Sequence, residues 1–310
     1  MKKSDNKIKD KIIFIWKAHI TNWLWRDRQT RRNARYMAFG EKKLKYLSKY
    51  TPFIKSLKPE SEIQPVDPDK ELFFSLWLQG YDSAPPIVKK CIASMKRMFG
   101  DRFILLEEKD IEKFIDLPSF VVEKWRNKQM IPAHFSDIVR IELLHKFGGY
   151  WLDATDFVYQ PIPKEISETD FFMFVASPKH LIHTCVQNYF IRAKLGDPLL
   201  DMWRKVVLKY WETEDSANSY FLVQFLFKLL VTENPYAGEM FAKMPKIELD
   251  NAQLLWHEIG NLPYSPALEE ELLARSFFQK CSYKGHTGII RDIRPGSITD
   301  FLINGKGSDQ

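Results

Sequence analysis

Cysteine is scarce. Cys91, Cys185 and Cys281 stand far apart with no CxxC pair. That spacing argues against a disulfide framework or a thiolate zinc site, and the three read as reduced core thiols. No apolar run approaches the roughly 18 residues a membrane-spanning helix needs. Histidine is also sparse, and no HxxxH spacing occurs. His134, His257 and His286 therefore read as structural or surface residues, with His257 and His286 the better placed of the three to supply a third metal ligand. Internal repeats and low-complexity tracts are missing. The opening MKKSDNKIKDK is followed only by a short apolar IIFIW flanked by charge, a poor match to a cleavable leader, so the expected compartment is the cytoplasm.

What is present is a folding chain of 310 residues, 45% hydrophobic and 14% aromatic, long enough for one large domain with an extension. Its net charge of +6 is unevenly spread: residues 1–60 hold 17 Lys and Arg against 5 Asp and Glu, so the remainder is acidic. Residues 1–60 form a basic segment with helical signals and with Phe14, Trp16, Trp23 and Trp25 among the charges. Two readings stay open for it: an arm lying on the anionic inner face of the cell membrane, or one packed on its own domain or a second subunit. Nucleic acid is not an expected partner, since no recognisable module accompanies the basic residues.

A proline-rich stretch, residues 61–70, reads as a linker. Beyond it ELFFSLWLQG reads as a buried strand, PPIVKKCIASMKRMFG as a helix opened by proline and stopped by glycine, DRFILLEE as a second strand and KDIEKFIDLP as a short helix. The alternation continues through a helix from Ser136 to Phe147, a Gly148-Gly149 stop and the strand YWLD. This order predicts an α/β domain with a largely parallel sheet. Past Pro163 the pattern predicts mostly helix.

The chemistry concentrates in AHFSDIVRIELLHKFGGYWLDATDF, Ala133 to Phe157. On a helical wheel Asp137 and Arg140 fall inside the apolar arc, and Glu142 and Lys146 outside it. An acid and a guanidinium on a core face are either a buried structural ion pair or part of a polar ligand pocket. The following strand delivers Asp153 to its C-terminal end, where ligands bind in open α/β sheets. Carboxylates there suit Mn²⁺ or Mg²⁺, with Asp153, Thr155 and Asp156 as candidate ligands. Alternation along a strand puts Asp153 and Thr155 on one face and Asp156 on the other, unless the backbone has already turned.

The stretch AHFSDIVRIELLHKFGGYWLDAT, with FFSLWLQG and PPIVKKCIASMKRMFGDRFILLEEKDIEKFIDLP upstream, resembles the capsular polysaccharide synthesis protein family and the wider set of A-type-fold sugar-nucleotide glycosyltransferases with a DxD region. The likeness implies a Rossmann-like, mostly parallel sheet flanked by helices, to which the residue pattern adds the N-terminal helical arm and a helical C-terminal half. It places the catalytic domain at residues 71–295 and a tail at 296–310. It implies that Trp77 packs on the nucleotide base with Gln79 and Gly80 on the same loop, that Asp137 and Arg140 hold ribose and donor sugar, and that Trp151 precedes the first DxD aspartate, Asp153. Thr155 stands where other members carry the second acid. Ser282 and Lys284 resemble a loop that closes over the diphosphate. The implied activity is metal-dependent, retaining transfer from a nucleoside diphosphate sugar, a UDP-sugar first, to a surface polysaccharide or lipid-linked glycan. A metal-dependent phosphoester hydrolase and a non-catalytic assembly protein are the alternatives.

Overall fold

A computed structural model describes residues 28–179, 183–283 and 293–305. The chain begins there with α1 (Arg28–Leu47) and α2 (Thr51–Ser56). The first strand, β1 (Phe73–Leu76), leads through α3 (Pro86–Phe99) to β2 (Phe103–Leu106), and β1 and β2 pair in parallel. Proline at the start of α3 and Gly100 (φ +57°) at its end set the bounds expected from the sequence.

Two short helices, α4 (Ile111–Phe114) and α5 (Ser119–Arg126), precede the long α6 (Pro132–Phe147) and β3 (Gly149–Leu152). α6 starts at Pro132 rather than Ser136, because Pro suits the first helical turn. The turn from α6 to β3 needs glycine at both positions. Gly148 and Gly149 have φ of +66° and +90°, and a Cβ on Gly149 would lie 2.3 Å from the Leu72 carbonyl oxygen. That close approach lets Tyr150 N–H donate to Leu72 O at 2.8 Å and brings β3 parallel alongside β1.

The second half follows as β4 (Asp156–Val158), α7 (Lys164–Ser167), β5 (Phe171–Val175), β6 (Val186–Ala193), α8 (Pro198–Thr213), α9 (Leu222–Glu233), α10 (Pro235–Lys243), α11 (Pro266–Arg275), β7 (Phe278–Lys280) and α12 (Ile298–Asn304). The sheet order is β2-β1-β3-β6-β5, and only β6 runs against the other four. The stretch after Pro163 thus adds two sheet strands and β7 to its helices, where the sequence pattern predicts mostly helix. All eight residues of β6 are buried, so it carries no alternation to betray it.

One core spans the sheet and the helices on it, and Phe73 stacks between Phe99 and Tyr150 at centroid separations of 3.8 and 4.5 Å. Leu47, Tyr50 and Ile54 are buried in that same core, and α1 and α2 pack on α9. α6 is covered by α8 as well as by the sheet, which buries Glu142. That residue falls outside the apolar arc but takes Arg204 as a partner, its two oxygens each 2.9 Å from Nε. Breaking a buried pair of this kind costs about 3–5 kcal/mol.

Candidate active site

β1 and β3 end side by side, and the chain leaves β3 through a turn. Asp156 N–H donates to Asp153 O at 2.9 Å, and Asp153 N–H donates to Asp156 Oδ2 at 3.1 Å. The backbone has therefore turned before Asp156, and the two carboxylates share a neighbourhood despite their spacing. β4 then pairs antiparallel with β7, setting Asp156 opposite Lys280. Lys280 Nζ donates to Asp153 Oδ2 at 2.7 Å and lies 3.3 Å from Asp156 Oδ1.

The other side of Asp153 faces α6. Its Oδ1 accepts from Trp151 Nε1 at 2.9 Å and lies 3.3 Å from Arg140 Nη1, while Arg140 lies over the Trp151 ring. Arg140 also pairs with Asp137 at 3.3 Å and donates to the Ser136 and Asn188 carbonyls. Asn188, on β6, donates to Asp137 Oδ1 and accepts from Gln224 on α9, both at 2.8 Å. Asp137, Arg140, Trp151, Asp153 and Asp156 form one network with Asn188, Gln224 and Lys280. Asp137 and Arg140 are thus a buried ion pair and also the support of a polar site.

Burial separates the three acids. It pushes Asp137 up to about 7 against the pull of Arg140 and Asn188, and pushes Asp156 up to about 8 against Lys280. Burial also works against Asp153, but Lys280 and Arg140 outweigh it and hold the carboxylate below its usual range. Lys280 is raised in turn, because Asp153 and Asp156 overcome its own burial. Asp153 is the acid that reaches solvent, with a side chain 28% exposed, whereas Asp156 is fully buried.

Asp153 and Lys280 line a cavity of about 360 Å³. Asn188, Tyr189 and Gln224 contribute to it from β6 and α9, Tyr220 and Trp256 add aromatic faces, and α1 closes it with Arg32 and Tyr36. The Tyr189 hydroxyl and Gln224 Oε1 are buried there without a hydrogen-bond partner. Buried polar atoms in that state suit a ligand rich in hydroxyl groups.

Of the other expected residues that are described, only His257 lines this cavity. Trp151 is buried and touches Arg140 and Asp153. Trp77 is half-buried where β1 ends; its ring meets the edge of Tyr283 at 5.3 Å, and its indole N–H is buried without an acceptor. Gln79 is exposed on the loop that follows, beside Gly80 (φ +86°), and Ser282 lies just past β7. Lys284 and His286 lie outside the described residues. His134 bonds the Ser219 carbonyl, and His257 bonds Gln253 at the cavity wall. The cysteines are free thiols, Cys91 and Cys281 fully buried.

The set expected to hold Mn²⁺ or Mg²⁺ does not fit a divalent ion in this arrangement. Both oxygens of Asp153 face a cation, Asp156 Oδ2 accepts from Asp153 N–H, and Lys280 lies between the two carboxylates, 3.3 Å from an Asp156 Oδ1 that makes no hydrogen bond. The Thr155 carbonyl accepts from Cys281 N–H at 2.8 Å. Among the described residues no group of three or more His, Cys, Asp or Glu is placed to hold a metal.

Sequence reasoning missed Lys280, Gln224 and the α1 contribution. FQKCSYKG offers two lysines with nothing local to separate them, and strand register alone selects Lys280.

The chain is similar to the O-glycosyltransferase braB of Annulohypoxylon truncatum, with 29% identity over 167 residues, 48% of this chain and 39% of that protein. It is also similar to the O-glycosyltransferase PaGT of Phomopsis amygdali, with 24% identity over 177 residues, 51% of this chain and 43% of that protein. The matches thus span about two fifths of each relative's length. A solved structure, the PaToxG glycosyltransferase, superposes with a TM-score of 0.39 at 14% identity, covering 67% of this chain and 83% of that one. The family model for capsular polysaccharide synthesis proteins matches residues 23–294, and on that match the chain belongs to the capsular polysaccharide synthesis protein family.

Proposed function

We propose that the protein is a retaining glycosyltransferase that moves a sugar from a nucleoside diphosphate donor, uridine-linked first, to a surface polysaccharide or lipid-linked glycan at the inner face of the membrane. One observation carries the reading: a single half-buried carboxylate, Asp153, stands between two cations in the lining of a cavity that also presents amides, hydroxyls and aromatic faces. Family membership and the names of the two relatives support it.

In this reading the acceptor hydroxyl attacks the anomeric carbon on the face from which the diphosphate departs. The C1–O bond breaks, its electron pair leaves on the diphosphate, and the acceptor proton passes to a diphosphate oxygen. Asp153 is a poor nucleophile, since both its oxygens are held by cations or N–H donors, so a front-face displacement needs less of it than a covalent intermediate does. Its role is to orient sugar or ribose hydroxyls, with Asp137, Arg140 and Trp151 fixing its position. The Trp77 indole is offered to the base. Tyr36 and Arg32 line the cavity from α1.

Nucleotide-sugar binding and slow donor hydrolysis, measured across a panel of donors with and without Mn²⁺, test the reading. Binding of a UDP-sugar, with hydrolysis abolished in Asp153→Ala, is the expected result. Turnover of simple phosphoesters with no nucleotide affinity would point instead to a hydrolase and end the proposal.

A further inference from the structure

We infer that Lys280 is the resident cation of this site, and that its ammonium meets the donor diphosphate in the place where a divalent metal was expected. The inference rests on the glycosyltransferase reading above and goes beyond it.

Three independent observations support Lys280. The first is position: Nζ lies 2.7 Å from Asp153 Oδ2 and 3.3 Å from Asp156 Oδ1, within the angle of the two carboxylates. The second is how that position is fixed. Lys280 ends β7, whose pairing with β4 sets it opposite Asp156, so the ammonium is held by backbone register and does not reach in from a surface loop. The Lys280 side chain is only 11% exposed, and Nζ lies over the Tyr189 ring at 5.2 Å. The third is access, because Lys280 lines the cavity together with Asp153.

Seating a divalent ion on the two acids would require evicting this ammonium from a buried site. That would leave Lys280 charged and unpaired, at a cost typical of a broken buried pair. When the C1–O bond breaks and its electron pair leaves on the diphosphate, the ammonium balances the new charge by Coulomb attraction and hydrogen bonding. It moves no proton, and it is already in place before the reaction begins.

The test uses the full chain, with UDP, GDP and inorganic pyrophosphate as probes. Binding is followed calorimetrically in EDTA and in Mn²⁺, and free Mn²⁺ is followed by its electron paramagnetic resonance signal without nucleotide. The wild type should bind a nucleoside diphosphate in EDTA within about twofold of its affinity in Mn²⁺, and should leave the free Mn²⁺ signal unchanged. Lys280→Met should lose about tenfold or more of its affinity in EDTA, the loss expected of a charge-assisted contact. It should regain affinity in Mn²⁺, now that Asp153 is released to a metal. Because Lys280→Met strands a buried acid, Lys280→Met with Asp156→Asn is measured beside it, and circular dichroism confirms the fold of both.

Wild-type binding that requires Mn²⁺, or a Lys280→Met protein that binds as tightly as wild type in EDTA, overturns the inference and leaves the transferase reading standing. If no protein binds any nucleoside diphosphate in either condition, the donor reading fails and takes the inference with it.

Discussion

Asp153 is the acid whose charge is both secured by neighbouring cations and within reach of solvent. Asp153→Asn keeps an acceptor for Trp151 and removes the charge that Arg140 and Lys280 face. Its sugar transfer is expected to fall by about a hundredfold or more, and its melting temperature to drop as well, because two buried cations lose their partner; kinetics measured well below the melt separates the two effects. Asp156 calls for a different experiment. Its folded pKa is raised above the unfolded value, so the folded state holds a proton that the unfolded state has released. Stability is therefore lost as pH rises from about 4 through about 8. Asp156→Asn should flatten that fall in a series of melts between pH 5 and 8; an unchanged slope would place the proton elsewhere. Asp137 has the same sign with a folded value of about 7, so part of the fall remains in the variant.

At the scale of elements, the α6–β3 junction is the part of the fold most strictly specified. Gly149→Ala has to fit a Cβ beside the Leu72 carbonyl at a φ that L-residues rarely adopt, and should destabilise by about 2 kcal/mol or more in urea unfolding. This junction was also the most legible in the sequence, since glycine pairs, helical arcs and a strand's last acid are all local signals. β6 was not legible, although it carries Asn188 into the site. All eight of its residues are buried, yet VQNYFIRA mixes Gln187, Asn188 and Arg192 with apolar residues and so shows neither an apolar run nor a clean alternation. Glu142 misled for a related reason. The helical wheel finds one buried face, whereas α8 supplies α6 with a second.

On the scale of the whole molecule, the N-terminal segment divides. Residues from α1 onward reach the core through Leu47, Tyr50 and Ile54 and the cavity through Arg32 and Tyr36. Phe14, Trp16, Trp23 and Trp25 lie outside the described residues. Deleting residues 1–27 should leave the melting temperature within about 2 °C of wild type while abolishing flotation with anionic vesicles. Deletion through residue 60 should unfold the protein, because three buried side chains at about 2–5 kcal/mol each exceed much of a domain's stability. Equal flotation with and without residues 1–27 would remove the membrane reading. The local half of the site, Asp137 to Asp156, was readable because one stretch of chain contains it. Lys280, Gln224 and Arg32 were not, because only the tertiary fold brings them there.

The β4–β7 ribbon joins residues 127 positions apart, Asp153 and Lys280. A growing chain can complete every strand of the main sheet before β7 has been made. Phe278 is buried against Phe174, Tyr189 and Phe190, so the segment that brings Lys280 to the two acids also closes the core, and chains truncated ahead of it lose packing and the shared charge together. Completion of the core and completion of the site are thus one late event in this chain, and neither is finished before β7 pairs with β4.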